Sequence, residues 1–228
     1  MRKPRFTAAV GIILVLAIPA VMTVIAPTVD SVRATESPRH ERGIDVPQAD
    51  VSFAAVGDSM TAWVDEAGVS RGDRSWVNHI PAKHLHLVGG WAQGGAQTSL
   101  MMQNVTPVDA DVLVIMAGTN DLGDQWGVPM QERLDHILAI AQTVGARHVV
   151  LSAIPPLDLA PQWSTEYNAV LQQFAATMGW SWVDPWVQLR APDGHYINGL
   201  TPDGAHPTPA GFETVAQVLA SAIRAASR

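Results

Sequence analysis

Five short apolar runs, separated by amphipathic stretches, constrain the fold of this chain more than any other feature of its sequence. The runs occupy residues 51–56, 84–91, 111–118, 148–155 and 180–186. Each has the length of a buried strand, and apolar residues on both faces are typical of strands that helices cover on two sides. Helical periodicity is clearest at residues 130–144, 163–178 and 208–226. Strands that alternate with helices predict an α/β fold, a three-layer sandwich around a mostly parallel five-stranded sheet.

Short polar motifs follow three of the predicted strands, and a fourth motif precedes the last predicted helix. They are Gly57-Asp58-Ser59, residues 91–99 (WAQGGAQTS), Gly118-Thr119-Asn120-Asp121, and residues 201–212 (TPDGAHPTPAGF). In a parallel α/β sheet the carboxyl ends of the strands meet at one edge, where reactive groups collect. We therefore expect these four motifs to lie close together in the folded chain.

The order of the four motifs and the residues in them resemble those of the SGNH hydrolases, also called the GDSL-type esterases and lipases. The resemblance spans residues 51–215, which is nearly all of the chain beyond its first 50 residues. It implies a flavodoxin-like sandwich, hydrolysis of esters through an acyl-serine intermediate, and no metal or organic cofactor. The segment 57–61 lacks the second glycine of the G-x-S-x-G pattern that α/β-hydrolases carry around their nucleophile. This difference argues against the α/β-hydrolase interpretation.

Three side chains in these motifs match the parts that attack on an ester requires. A hydroxyl must lose its proton to a base, and a third group must orient the base and stabilise its charged form. Ser59 is the predicted nucleophile, His206 the general base, and Asp203 the orienting carboxylate. Only three positions separate Asp203 from His206, so one loop can carry both. We also expect Ser59 to begin a helix as its N-cap, a role compatible with catalysis.

The resemblance also implies donors for the oxyanion of the tetrahedral intermediate. These are the backbone N–H of Ser59, the backbone N–H of Gly95 and the side-chain amide of Asn120, which donates without carrying charge. The second motif contains two adjacent glycines where family members more often show one. Gly95 is the favoured donor, and Gly94 stays open as the alternative.

The motif residues also have ordinary structural interpretations. Taken alone, Asn120 fits a turn, and His206 fits a surface histidine that precedes a helix. His195, two residues after an aspartate, is the rival base, but it lacks the proline and helix that follow His206. Asp58 and Asp121 are interpreted as turn and cap formers with no part in proton transfer.

Eight tryptophans are many for 228 residues, and three of them lie close to the predicted catalytic motifs. Trp63, Trp91 and Trp126 are candidates for the walls of an acyl or alcohol pocket, or for platforms that stack on a sugar ring. Those at positions 180, 182 and 186 are interpreted as packing residues at the end of a strand.

Composition and charge exclude several classes of function. The net charge of −7, with only 14 basic residues, argues against nucleic acid as a partner. The absence of cysteine excludes disulfides, a thiolate nucleophile and a thiolate metal site. The histidines show neither the H-x-x-x-H nor the H-E-x-x-H spacing, so no metal site is predicted.

The N-terminal segment predicts passage across a membrane. Arg2, Lys3 and Arg5 precede an apolar run over residues 7–26, the order expected of a secretion signal or a signal anchor at residues 1–34. Removal of that segment takes away four basic residues and one acidic residue, which changes the net charge from −7 to −10. Residues 35–50 are polar and contain two prolines, which indicates a linker before a catalytic domain over residues 51–228.

Together these features predict an exported or membrane-anchored serine ester hydrolase, secreted or held at the outer face of the membrane by its N-terminal segment. The predicted substrates are short-chain carboxylic esters or O-acetylated carbohydrate, because a small domain without an obvious lid offers no long apolar groove. One alternative is a lysophospholipase or thioesterase that acts on lipid acyl esters. The other is a non-catalytic surface protein that binds glycans on the same fold.

Overall fold

The structure is a computed structural model, and it describes residues 49–122 and 127–228 as alternating strands and helices. The strands are β1 (Val51–Gly57), β2 (Leu85–Ala92), β3 (Val112–Met116), β4 (His148–Ser152) and β5 (Ser181–Val183). The α-helices are α1 (Thr98–Asn104), α2 (Met130–Val144), α3 (Pro161–Met178) and α4 (Pro209–Ala226). Two single 3₁₀ turns lie at Trp76–His79 and Thr119–Asp121.

The five strands form one sheet in the order β2-β1-β3-β4-β5, and every pair of neighbours runs parallel. This is the flavodoxin-like strand order, which leaves a crevice between β1 and β3 beyond their carboxyl ends. The predicted α/β class and the five-stranded parallel sheet are confirmed. The first and third polar motifs follow β1 and β3, so both lie at this crevice.

The hydrophobic core lies in two layers, one on each face of the sheet. Successive residues of β3 point to opposite faces, with Val114 in one layer and Leu113 and Ile115 in the other. The first layer packs against α4 and the fully buried Trp76, and the second packs against α1, α2 and α3. All five residues of β3 are buried, as expected for a strand that helices cover on both sides.

The prediction that Ser59 begins a helix is wrong. The N–H groups of Thr61 and Ala62 both donate to the backbone oxygen of Asp58, which closes a single turn that no helix follows. The Asp58 carboxylate, rather than the Ser59 hydroxyl, accepts the next free N–H, that of Met60, at 3.0 Å. Because Asp58 accepts this N–H, the Ser59 hydroxyl is left free for other partners.

The helices also differ from the predictions at α1 and α3. Helix α1 was not predicted, because its seven residues are too few for a helical period and no side chain caps it at Gln97. Helix α3 begins at Pro161, two residues before the predicted start. A proline at the first helical position is a signal that places this boundary.

The predicted signal or anchor at residues 1–34 and most of the predicted linker lie outside the described residues, and they stay predictions. Strand β1 begins at Val51, where the catalytic domain was predicted to start. Within residues 49–122 and 127–228, no helix combines the length and the hydrophobicity needed to cross a bilayer.

Candidate active site

Ser59 lies two residues beyond β1, at the carboxyl edge of the sheet. Its Oγ is 2.9 Å from Nε2 of His206, although 147 positions separate the two residues. The rival His195 instead has Nδ1 3.3 Å from Oδ1 of Asp193. The fold therefore pairs His206, and not His195, with the predicted nucleophile.

Asp203 contacts the other side of the His206 ring. Its Oδ2 lies 2.8 Å from Nδ1 of His206, and its Oδ1 accepts the N–H groups of Ala205 at 3.0 Å and His206 at 2.8 Å. Because an ionised carboxylate only accepts hydrogen bonds, Nδ1 carries the ring proton of neutral His206, and Nε2 presents a lone pair to Ser59. The three side chains thus form one continuous hydrogen-bonded chain.

The surroundings of Asp203 keep it ionised. Burial raises the pKa of this carboxyl, but the N–H groups of His206 and Ala205 and the His206 ring outweigh that effect and lower the pKa to about 2. A carboxylate that stays charged at neutral pH can stabilise an imidazolium formed beside it.

The loop that carries Asp203 and His206 is shaped by Thr201. Its hydroxyl donates to the backbone oxygen of His206 at 2.7 Å and accepts the N–H of Gly204 at 2.8 Å. Helix α4 then begins at Pro209, where the Thr208 hydroxyl accepts the N–H of Gly211 as an N-cap. The loop is therefore fixed by bonds within itself, by the helix that follows it, and by bonds from the Asp158 N–H to Gly204 and from the Tyr196 hydroxyl to Ala205.

Asn120 lies in the 3₁₀ turn after β3. The turn starts at Gly118, whose φ of 116° favours glycine, and a β-carbon there would collide with Tyr167. The Asn120 amide nitrogen lies 3.1 Å from the backbone oxygen of Ala96 and 3.4 Å from Oδ2 of Asp58. Asn120 is thus brought next to the turn that carries Ser59.

Gly95 occupies a tight turn after β2. The N–H of Ala96 donates to the backbone oxygen of Gln93 at 3.2 Å, and Gly95, the third residue of the turn, has a φ of 75° that a type II turn reserves for glycine. Within the described ranges, the N–H groups of Ser59, Gly94 and Gly95 donate to no backbone oxygen. The structure leaves all three available, and the preference for Gly95 stays a prediction.

Asp58, next to Ser59, is fully buried. Burial is the largest influence on its carboxyl and raises the pKa, although the N–H of Met60 and the Thr119 side chain act in the opposite direction. Its observed contacts, to Met60 and to the Asn120 amide, agree with the interpretation of Asp58 as a turn former.

A first cleft, of about 690 Å³, lies on the β2 side of Ser59. Trp63 and Trp91 line it, together with Arg71 and other polar residues. A β-carbon built on Gly94 would lie 3.3 Å from Nη1 of Arg71 and 4.0 Å from Cβ of Ser59, so the guanidinium reaches the side of the cleft that faces Ser59. The sequence alone did not indicate Arg71, because it does not directly follow a predicted strand and belongs to none of the four motifs.

A second cleft, of about 760 Å³, lies beside residues 203–205. Its walls are mostly apolar, and they include Leu122, Leu157, Leu159 and Trp163. No sequence pattern predicts this apolar surface, because its residues belong to separate segments that only the fold brings together. Trp126, the third tryptophan predicted at the site, lies outside the described residues.

A G-x-S-x-G string does occur in the sequence, at residues 68–72 and outside the four motifs. The structure places it in an exposed ribbon closed by a bridge between Val64 and Ser70. The Ser70 hydroxyl accepts the N–H of Gly72 at 3.2 Å. This string is therefore not the strand-to-helix elbow that the α/β-hydrolase pattern requires.

Among the described residues, no three His, Asp or Glu side chains are grouped so that they could hold a metal ion. The site geometry instead agrees with a family match. The family described as GDSL-like Lipase/Acylhydrolase matches residues 55–214 of the sequence. This chain belongs to that family. The match includes Ser59, Asn120, Asp203 and His206 of this GDSL-like hydrolase.

Solved structures share the fold of this GDSL-like hydrolase at low sequence identity. A lipase/acylhydrolase from Enterococcus faecalis has a TM-score of 0.62 and 18% identity, over 77% of this chain and 96% of that one. A catalytic mutant of an acetylxylan esterase from Geobacillus stearothermophilus has a TM-score of 0.56 and 15% identity, over 77% and 94%. A carbohydrate acetylesterase from Sinorhizobium meliloti has a TM-score of 0.54 and 17% identity, over 77% and 99%. No curated protein matches the sequence.

Proposed function

We propose that this protein is a serine ester hydrolase in which Ser59 is the nucleophile, His206 the general base and then acid, and Asp203 the orienting carboxylate. The observation that carries the proposal is the chain of two short contacts, 2.9 Å from Ser59 to His206 and 2.8 Å from His206 to Asp203. Membership of an acylhydrolase family supports the reaction class.

The geometry supports a two-step reaction. Nε2 of His206 takes the proton from Ser59 Oγ as that oxygen attacks the ester carbonyl, and Asp203 stabilises the resulting imidazolium. The imidazolium then gives its proton to the leaving alcohol, which leaves an acyl-serine. Water then gives a proton to the same histidine as it attacks the acyl-serine, and the acyl–Oγ bond breaks as His206 returns that proton to Ser59 Oγ and the acid is released.

The oxyanion of each tetrahedral intermediate would accept hydrogen bonds from the backbone N–H of Ser59, the N–H of Gly95 and the Asn120 amide. Each such donor contributes about 3 kcal/mol to transition-state stabilisation in acyl-transfer enzymes. The Asn120 amide lies beside the turn that carries Ser59, and its long 3.4 Å contact to Oδ2 of Asp58 is the one that the oxyanion would replace.

The proposed substrates are short-chain carboxylic esters or O-acetylated carbohydrate. The first cleft supports this choice, because it sets two tryptophans among the planar polar side chains of Arg71, Gln93 and Glu66. Aromatic faces can stack on a sugar ring, while planar polar groups bind its hydroxyls. The names of two structural neighbours, an acetylxylan esterase and a carbohydrate acetylesterase, point the same way.

The second cleft favours a second candidate, hydrolysis of lipid acyl esters. Its apolar walls lie beside the loop of Asp203, within reach of an acyl chain or an apolar alcohol. The two candidates therefore differ in which cleft holds most of the substrate.

Turnover measurements test the reaction and the substrate together. We expect wild type to hydrolyse p-nitrophenyl acetate and acetylated xylo-oligosaccharide, with kcat/KM falling along the series from acetate to palmitate. Ser59→Ala abolishes turnover, whereas Ser70→Ala, in the exposed ribbon, is the matched control and retains it. Equal activity along the series contradicts the short-chain preference, and a maximum at palmitate supports the lipid candidate. A folded wild type that turns over no ester and binds glycan supports the non-catalytic alternative.

We also propose export, on the basis of the basic and apolar order of residues 1–34. N-terminal sequencing of protein from the culture supernatant and from washed membranes tests this proposal. A shortened N-terminus in the supernatant indicates a cleaved signal, and an intact N-terminus in the membranes indicates an anchor. Protein found only inside the cell contradicts export.

A further inference from the structure

We propose that Thr98 and His136 are positioning residues that hold the oxyanion donors in place through Asp121. The proposal rests on the proposed function, because it takes Asn120 and Gly95 as the donors. Asp121 follows Asn120 directly, and Thr98 lies three residues after Gly95. The two segments that supply the donors are therefore the two segments that this contact joins.

Asp121 and Thr98 form a buried pair of hydrogen bonds. The backbone N–H of Thr98 donates to Oδ2 of Asp121 at 3.0 Å, and the Thr98 hydroxyl donates to Oδ1 at 2.6 Å. Both side chains are fully buried. Separation of the two segments would break both bonds and leave the buried Asp121 carboxylate without these partners, which opposes such a movement.

Two further bonds join the same segments. The Gln97 side-chain amide donates to the backbone oxygen of Asn120 at 3.2 Å, and the Asn120 amide donates to the backbone oxygen of Ala96 at 3.1 Å. Every residue from Ala96 to Thr98 is thus bonded to Asn120 or Asp121. The relative position of Gly95 and Asn120 is set by these contacts.

His136, on helix α2, sets the direction of the Thr98 hydroxyl. Its Nδ1 lies 3.0 Å from Oγ1 of Thr98. A hydroxyl has one hydrogen, and Thr98 gives that hydrogen to Asp121, so Oγ1 must accept from His136. Nδ1 of His136 therefore carries a proton. The other ring nitrogen, Nε2, faces Glu132 at 3.7 Å.

Arg133, one helical turn before His136, holds the other side of the contact. Its Nη2 donates to the backbone oxygen of Asp121 at 2.9 Å, and its guanidinium packs against the rings of Trp163 and Tyr167. Helix α2 thus binds Asp121 directly and through Thr98. A shift of Asn120 would have to break bonds to two other parts of the chain.

Loss of this support is expected to act on the chemical step. A displacement of about 1 Å at a catalytic group costs on the order of 10²-fold in rate. Thr98→Val removes the hydroxyl at nearly constant volume, and we expect kcat to fall about 10- to 100-fold with little change in KM. Thr98→Ser keeps the hydroxyl and recovers most of kcat. Thr177→Val, which removes an exposed hydroxyl on α3, is the matched control.

His136 is tested by the same logic. His136→Leu removes the donor and lowers kcat, whereas His136→Asn places an amide N–H near the position of Nδ1 and recovers part of it. A purely structural role lowers the melting temperature of these variants without a loss of kcat below that temperature. Wild-type kcat in folded Thr98→Val, or an equal loss of kcat in Thr98→Ser, overturns the proposal.

The tautomer of His136 provides a measurement that is independent of activity. Nitrogen chemical shifts of the histidine rings are expected to show a protonated Nδ1 in His136 of the wild type, and an unprotonated Nδ1 overturns the proposal. If wild type hydrolyses esters and only these results fail, the positioning role is wrong and the proposed function stands. If wild type hydrolyses no ester, both fail.

Discussion

The loop that carries Asp203 and His206 and the turn that carries Asn120 are built in opposite ways. The side chains of Asp203 and His206 are 50% and 38% exposed, and the bonds that Thr201 makes within this loop span at most five positions. The amide of Asn120 instead contacts residues 24 and 62 positions away. Apart from the bond between His206 and Ser59, the side chains of the proposed proton-transfer half make local contacts and are partly exposed, whereas the proposed oxyanion half depends on the assembled sheet.

This difference separates the effects that substitutions should have. A change in the local half removes chemistry and leaves the fold intact, because few long-range contacts are lost. A change in the oxyanion half removes a donor and a long-range contact together. Activity and stability measured on the same variants therefore distinguish the two halves.

The largest effect is expected for His206→Ala. Loss of the base should lower kcat by about 10⁴-fold or more, as in other enzymes with a serine, histidine and aspartate triad. Stability should change little, because the ring is partly exposed. Steady-state kinetics and thermal unfolding measure both quantities, with His195→Ala as the control. Activity that survives in His206→Ala and disappears in His195→Ala contradicts the assignment of the base.

A smaller loss of activity, with a measurable loss of stability, is expected for Asn120→Ala. Removal of one oxyanion donor lowers kcat by roughly 10²- to 10³-fold. The lost hydrogen bond to Ala96 should also lower the free energy of unfolding by about 1 kcal/mol. Asn104→Ala, which removes an exposed amide bonded within α1, is the control. A loss of stability without a loss of kcat would assign Asn120 to structure alone.

The local half of the site could be predicted from the sequence, and the reason is its locality. Asp203 and His206 are three positions apart, and Thr208 and Pro209 signal the helix that follows them. The ends of β1 and β3 could be predicted as well, because uninterrupted apolar runs mark strands that are buried on both faces.

The support of the oxyanion half could not be predicted. Thr98 lies in a helix too short to show a period, and His136 looks like any residue on a helical face. Their contact joins residues 38 positions apart, so no local sequence pattern predicts it. The prediction that Ser59 begins a helix is wrong because a single turn follows β1 with no helix after it, and the neighbouring Asp58 accepts the N–H of Met60.

The two aspartates of the site should respond to pH in opposite directions, and Asp58 should show the larger response because it is fully buried. Burial raises the pKa of Asp58 in the folded state. The stability that follows from protonation is present below the ordinary pKa and is lost as pH rises through the raised value. Asp58→Asn does not titrate, so its stability relative to wild type should grow above about pH 4. Urea unfolding over a pH series measures the difference, and a difference that does not change with pH contradicts this account.

Asp203 should give the smallest effect. Its pKa is lowered to about 2, so its contribution to stability is present above about pH 4 and is lost as pH falls toward 2. Because the carboxylate is half exposed, the contribution is about 1 kcal/mol after solvent screening. The stability of wild type relative to Asp203→Asn should therefore decline in that acid range. If the difference in stability between wild type and Asp203→Asn instead grows as pH falls, the surroundings of Asp203 do not favour its ionised form.

Covalent labelling by a fluorophosphonate probe tests the central claim, that Ser59 is an activated nucleophile, most directly. The account predicts one adduct per chain, located by peptide mass on the segment that contains Ser59. It predicts no adduct in Ser59→Ala and an unchanged adduct in Ser70→Ala. A folded wild type that stays unlabelled, or an adduct found on Ser70, would contradict the account.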